Sequence, residues 1–152
     1  MLALAILAPA AAATVIAMRV LLADTFPSER FAYRTAAVGC FLGAAGAPVV
    51  GDVEFGDWLV IHDFEIPLVL RVDQVSVVIS LFAVALTSLV ARFSRTYLHK
   101  EPGYVRFFGL LGLFATGTQL VALGGALELF FAGWEIVGVS SALFIGYFHE
   151  RA

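Results

Sequence analysis

The sequence predicts an all-α integral membrane protein, a bundle of five transmembrane helices with an extracytoplasmic β-hairpin between the second and third. Three observations predict it. First, 61% of the 152 residues are apolar and 14% are charged, with mean hydropathy +0.96. Soluble domains sit near about 45–50% and about 25%. Second, the apolar residues fall in long blocks, and about 20 helical residues suffice to cross a hydrocarbon core of ~30 Å. Third, the segment 51–73 breaks this pattern. It alternates like a strand pair and gathers six of the twelve acidic residues.

Taken in order, residues 2–22 form the first block, apolar up to Arg19. A signal peptide is the competing reading, because Ala8-Pro9-Ala10-Ala11-Ala12-Ala13 offers small residues of the cleavage type. No Lys or Arg precedes the run, however, and Arg19 follows it, which favours a span. Pro9 should kink the helix or lie in its outer turn. A polar connection with Asp24, Pro27, Glu29, Arg30 and Arg34 leads to a second block over about 31–50. That block is rich in Gly39, Gly43, Gly46, Ala44 and Ala45, small residues that let helices approach closely in lipid. Cys40 within it is the one cysteine, read as a small buried hydrophobe rather than a nucleophile.

Residues 51–72 read as the hairpin. Trp58, Val60, Phe64, Ile66, Leu68 and Leu70 fall at even spacing around His62-Asp63, which suggests two short strands on the membrane surface. Its acids, Asp52, Glu54, Asp57, Asp63, Glu65 and Asp73, read as a solvated face rather than a cation site. His62 reads as a solvated turn residue, with no second His or Cys near it to make a metal site. The third block spans 74–93, where Ser76, Ser80, Thr87 and Ser88 can bond back to their own helix or across to a neighbour. A basic loop over 94–106 precedes a fourth block at 107–123, with Thr116, Thr118 and Gln119 as its polar content. Gly124-Gly125 forms a tight turn, and the fifth block runs over about 126–148.

Charge asymmetry orients this frame. With the N-terminus extracytoplasmic and the C-terminus cytoplasmic, Arg19, Arg30, Arg34, Arg92, Arg95, Lys100, Arg106 and Arg151 lie inside, and only Arg71 lies outside. The expected location is the inner (plasma) membrane. No basic cluster suggests a nucleic-acid partner. No motif suggests a flavin, haem, iron–sulfur or other cofactor, so any redox chemistry must lie elsewhere.

The residue with chemistry is Glu135, near the middle of the fifth block. A charge at that depth is costly and is seldom present without a task. Glu128 lies seven residues before it, nearly two turns, so both carboxylates share a face. Gly138, one turn on, leaves room there for water or a neighbouring backbone. Three roles compete: a neutral, hydrogen-bonded structural residue; an ion or substrate ligand; and a proton relay. A relay needs a carboxylate poised between its desolvated and ion-paired states, and usually a Lys or Arg to bias it. No predicted span carries one at mid-depth, so the partner is missing or lies on another chain.

At these residues the chain resembles the antiporter-like membrane subunits of respiratory complex I, in particular subunit L (subunit 5 of mitochondria), and the related large subunit of multisubunit cation/proton antiporters. Val72-Asp73-Gln74-Val75-Ser76 looks like the D-x-x-S start of that family's third helix. Phe93-Ser94-Arg95-Thr96-Tyr97-Leu98, followed by Arg106-Phe107-Phe108, is similar to its YSxxYM…RFF loop, with Phe93 in place of Tyr. The run from Gly133-Trp134-Glu135 to Gly146-Tyr147 resembles its WExxGxxSYLLIGF segment, with Ala142 in place of Tyr.

The resemblance implies that residues 1–152 are a single N-terminal region of a proton-translocating subunit of an NADH:quinone oxidoreductase or a cation/proton antiporter. It makes Glu135 the catalytic proton relay and implies an essential intramembrane Lys on a later helix. This sequence stops after the fifth block, so a truncated or split subunit is expected, with other membrane subunits as partners and one of them supplying the Lys. Two other readings stay open: a membrane subunit of an inorganic-carbon uptake complex, which shares a loop like Ser94-Arg95-Thr96-Tyr97-Leu98, and a non-conducting membrane scaffold.

Overall fold

The computed structural model describes residues 51–62, 64–101 and 103–147, and five isolated earlier positions, Val15, Phe31, Arg34, Thr35 and Val38. The elements run β1 (Gly51–Ile61), β2 (Phe64–Val72), α1 (Gln74–Tyr97), α2 (Tyr104–Leu123) and α3 (Leu127–Ile145). The expectation of five spans is corrected. Among the described residues, three helices are long and apolar enough to cross a membrane, and these are α1, α2 and α3. The blocks at 2–22 and 31–50 lie outside the described residues, apart from the isolated positions. Hydropathy measures the apolar length of a stretch; it does not fix its place in a fold, and the all-α description gives way to helices plus a small antiparallel sheet.

Antiparallel β1 and β2 turn at His62, whose φ of 55° is left-handed. Register irregularities between Glu54 and Leu59, beside Gly56 at φ 89°, absorb the extra length of β1. Pro67, which has no N–H to donate, pairs with Asp57 within that irregular stretch. Asp52, Glu54, Asp57 and Glu65 are exposed. The ion pair from Arg71 Nε to Asp52, at 3.4 Å, is solvent-accessible and so contributes little. The opposite face of β2 is covered. Leu70 and Val72 are buried against Leu123, with Val77, Leu120 and Leu129 around them. Leu70 also bridges Gly124, and the Gly125 N–H donates to the Val69 carbonyl at 2.9 Å. The hairpin is thereby fastened to the α2–α3 turn.

Helix α1 starts at a capping box. The Ser76 N–H donates to Asp73 Oδ1 at 2.7 Å, and the Asp73 N–H donates to Ser76 Oγ at 2.7 Å. The D-x-x-S pattern is therefore a helix N-terminus that satisfies its own free N–H groups. The two Ser76 donations, backbone first and hydroxyl second, hold the Asp73 carboxyl below its ordinary range. The helix continues four residues past the span read at 74–93, and α2 begins three residues before 107. Apolarity marks immersion, whereas these ends are held by packing: Leu98 and Tyr104 are buried with Phe108 beyond the apolar stretch.

The packing is inverted relative to a soluble protein. Ser76, Ser80, Thr87, Ser94, Thr116, Gln119 and Ser140 are buried, while Val78, Phe82, Leu89, Phe131 and Trp134 are between 61% and 67% exposed. Apolar surface outside and small polar groups inside is the arrangement a lipid solvent favours. Six of these inward polar groups, Ser76, Ser80, Thr87, Thr116, Gln119 and Ser140, make side-chain hydrogen bonds. Thr87 and Thr116 donate to carbonyls four residues back, and Ser80 Oγ donates across to Gln119 Oε1 at 2.5 Å while Gln119 Nε2 donates to the Ser80 carbonyl at 3.3 Å. Of the four hydroxyls expected to bond along or across helices, Ser76 caps, Ser80 crosses and Thr87 bonds back; Ser88 is exposed.

Candidate functional site

Helix α3 is placed by glycines. At Gly124 a Cβ would lie 2.7 Å from the Leu120 carbonyl oxygen and 3.0 Å from Phe130 N, so the turn into α3 admits no side chain. Further along, α2 and α3 touch backbone to backbone. A Cβ on Gly133 would stand 2.7 Å from Leu120 Cβ, 2.8 Å from Val121 N and 2.9 Å from the Gly117 carbonyl oxygen. A Cβ on Gly117 would meet the Gly133 carbonyl oxygen at 3.0 Å. This contact fixes the rotation of α3. Gly133 and Ser140 point inward and are buried, with Val137 and Phe144 half-buried beside them. At the opposite end of the helices Phe107 meets Phe144 edge-on at 5.2 Å and Tyr147 at 5.7 Å, which holds the end of α3 against α2.

With Gly133 inward, Glu135 is about 200° round the helix and faces outward. It is exposed, as are Glu128, Phe131, Gly138 and Ala142. The structure thus brings the two carboxylates onto one face, roughly 10 Å apart along the axis. It leaves open space at Gly138, where an added Cβ would meet nothing within 4 Å. Glu135 lies eight residues from the start of α3 and ten from its end, and Glu128 in the first turn is the helix's other charge. Trp134 beside it is 62% exposed and leans on Phe130 at 6.0 Å. Among the described residues, the basic side chains on the helices are Arg92 and Arg95 at the last turns of α1 and Arg106 at the first turn of α2. All three are at the end far from the hairpin, so none reaches the level of Glu135.

The sequence points to Glu135, Glu128 and Gly138, but not to the glycine contact that aims them. Gly117 and Gly133 carry no polar atom and stand in apolar runs. A row of small residues at four-residue spacing is the usual mark of a close helix contact. Leu113 and Val121 flank Gly117 at that spacing, and Leu129 and Val137 flank Gly133, so neither glycine belongs to such a row.

Over residues 58–108 the chain matches the family described as the N-terminus of NADH-ubiquinone oxidoreductase (complex I) chain 5. That match covers β2, α1 and the α1–α2 connection and ends before Glu135. The chain is 30% identical over 95 residues to NAD(P)H-quinone oxidoreductase chain 5 of a Picosynechococcus species, 62% of this chain and 14% of that protein. It is 34% identical over 94 residues to NADH-ubiquinone oxidoreductase chain 5 of Sus scrofa, 62% of this chain and 16% of that one. It is 30% identical over 95 residues to the chloroplastic NAD(P)H-quinone oxidoreductase subunit 5 of Chlorokybus atmophyticus, covering 62% and 14%. The resemblance read from the motifs is therefore to proteins of this kind, and the region shared is a small part of their length.

Proposed function

We propose that this chain is the carboxylate-bearing part of a proton-translocating membrane subunit of the complex I chain 5 kind, and that Glu135 is its proton relay. The observation that carries this is the placement of Glu135. It is a mid-helix acid in an otherwise apolar span, turned away from its own bundle toward open space beside Gly138. A carboxylate there faces whatever packs on α3, and a neutral carboxyl is tolerable in an apolar setting while its anion needs a partner. Such a group gains or loses its proton as a neighbouring cation approaches or recedes. The similarity to chain 5 subunits supports the reading.

The partner on this reading is a helix carrying an intramembrane Lys, from other membrane subunits or from sequence beyond residue 152. The chain sits with its hairpin extracytoplasmic, its N-terminus on that same side and the basic α1–α2 connection in the cytoplasm, as the charge asymmetry favours. Protons enter at the water-facing end near Glu128 or along the open face, and Glu135 passes them laterally.

The test is Glu135→Gln in the assembled complex, with proton uptake measured in inverted membrane vesicles. Transport falls by about a hundredfold or more, in the range lost when a proton-transfer group is removed, while assembly is unchanged; Glu135→Asp retains part of it. Full-rate transport in Glu135→Gln would remove the relay and leave the scaffold reading.

A further inference from the structure

Glu128 is the second charge of α3, and no hydrogen bond or ion pair accounts for it. Helix α3 has 19 residues, about 28 Å, close to the ~30 Å of a hydrocarbon core. Its first turn, with Glu128, therefore lies at the hairpin-side boundary with water, and Glu135 lies about 10 Å below it on the same exposed face. Among the described residues neither carboxylate has a hydrogen bond or an ion pair. Of the charges on the hairpin side, Arg71 stands at the α2–α3 turn, its Cβ 3.2 Å from where a Cβ on Gly125 would be, and its Nε pairs with Asp52 at 3.4 Å. Asp73 caps α1, and Glu54, Asp57 and Glu65 lie exposed along the strands. The charge on α2, Arg106, is at the far end.

We infer that Glu128 is the acid through which Glu135 exchanges protons with water on the hairpin side, a role that rests on Glu135 being the relay. The two carboxyls are too far apart for a direct O–H···O bond of about 2.5–3.0 Å, and roughly three waters bridge the gap. Phe131 and Ala132 separate them on the exposed face, and Ala132 ends at its methyl, so only Phe131 stands high there. In each transfer one O–H bond breaks at the donor as another forms at the acceptor. Glu128 thus returns to its carboxylate when Glu135 becomes the acid, and the reverse transfer delivers the proton to water.

A first-turn acid also suits the positive end of a helix, whatever it does for protons. Its position goes beyond that role. Any residue of the first turn would serve the helix start, but 128 is the one seven residues before Glu135 and in line with it. The N-cap itself is Ala126, which makes no side-chain cap bond, whereas α1 starts at a full capping box. The acid of α3 therefore stands where it faces Glu135 rather than where it would best close the helix.

The test is made in the assembled complex, with transport measured in membrane vesicles and assembly checked for each variant. Glu128→Gln lowers transport by about a hundredfold, the loss expected when a proton-transfer group is removed, and Glu128→Asp retains part of it. Two second substitutions on Glu128→Gln separate a proton path from a helix-start charge. Ala132→Glu returns a carboxylate to the exposed face one turn nearer Glu135 and restores transport by about tenfold or more. Ala126→Asp returns an acid to the N-cap, whose φ of −111° and ψ of 148° suit one, about 200° round the helix from Glu128, and restores nothing. Full-rate transport in Glu128→Gln, recovery with Ala126→Asp, or no recovery with either Ala132→Glu or its neighbour Phe131→Glu overturns the role of Glu128. Glu135→Gln is measured alongside. If it is slow while Glu128→Gln is fast, the relay stands and only Glu128 loses its part; if both are fast, the relay falls as well.

Discussion

Replacing Gly133 by Ala puts the placement of Glu135 to a quantitative test. The new methyl would sit 2.7 Å from Leu120 Cβ, 2.8 Å from Val121 N and 2.9 Å from the Gly117 carbonyl oxygen. Carbon atoms rest about 3.5–4.0 Å apart, so α2 and α3 must separate by most of an ångström. Two of the three obstacles are backbone and cannot rotate away. Overpacking of this kind costs about 1–3 kcal/mol, offset by about 1 kcal/mol for the better helix former. Gly133→Ala should destabilise the chain by up to about 2 kcal/mol. Gly117→Ala should cost less, because two of its three near atoms are Val137 and Ile136 side-chain tips that can turn. Gly138→Ala meets nothing and should be neutral or slightly stabilising. The assay is a denaturing-detergent titration of the chain in micelles, read by circular dichroism and by Trp134 fluorescence on a Trp58→Phe background. If Gly138→Ala proved as costly as Gly133→Ala, α3 would have to be turned by about 140°, and the outward placement of Glu135 would fall.

Two further changes test the frame. Asp73→Ala removes the capping box of α1 and should destabilise the chain at neutral pH. Because folding lowers the Asp73 carboxyl below its ordinary 3.8, the unfolded chain binds the proton more tightly. The stabilisation is therefore present above about pH 3.8 and is lost as pH falls through the lower folded value. Asp73→Asn should keep a cap and flatten that acid limb in stability measured against pH. At the α1–α2 contact, Ser80→Ala leaves the buried Gln119 Oε1 without its donor and should cost about 1–3 kcal/mol. Gln119→Leu should cost less, because the Ser80 hydroxyl can turn back to its own helix. The reverse order in the same detergent titration would mean that the pair does not hold these helices.

Some of this is legible in the sequence and the rest is not, for identifiable reasons. The strand pair announces itself because alternation around His62-Asp63 has a period of two, which no helix shares. The α1 and α2 blocks stand out because lipid demands unbroken apolar length, but apolar length misplaces their ends. Leu98 is held by burial against the start of α2, a tertiary contact that no window of hydropathy records. The polar residues of α1 are recognisable as hydrogen-bonding groups, yet only the fold separates the cap at Ser76 from the cross-helix donor at Ser80. Glu135 is conspicuous as a lone charge, whereas its direction depends on Gly133, a residue visible only by what it lacks.

That direction bears on function. Small polar side chains of these helices face inward: Ser80, Thr87, Gln119 and Ser140 are all buried. By that rule alone an acid in mid-helix would be expected inside as well. Glu135 breaks it and shares the outer face with Glu128, because the α2–α3 contact is reserved for glycines and a side chain there would force the helices apart. An outward carboxylate is unfavourable against lipid and favourable against a partner that can accept its charge. In the three-helix frame the glycine contact thus turns Glu135 away from α2 and onto the exposed face it shares with Glu128 and Gly138.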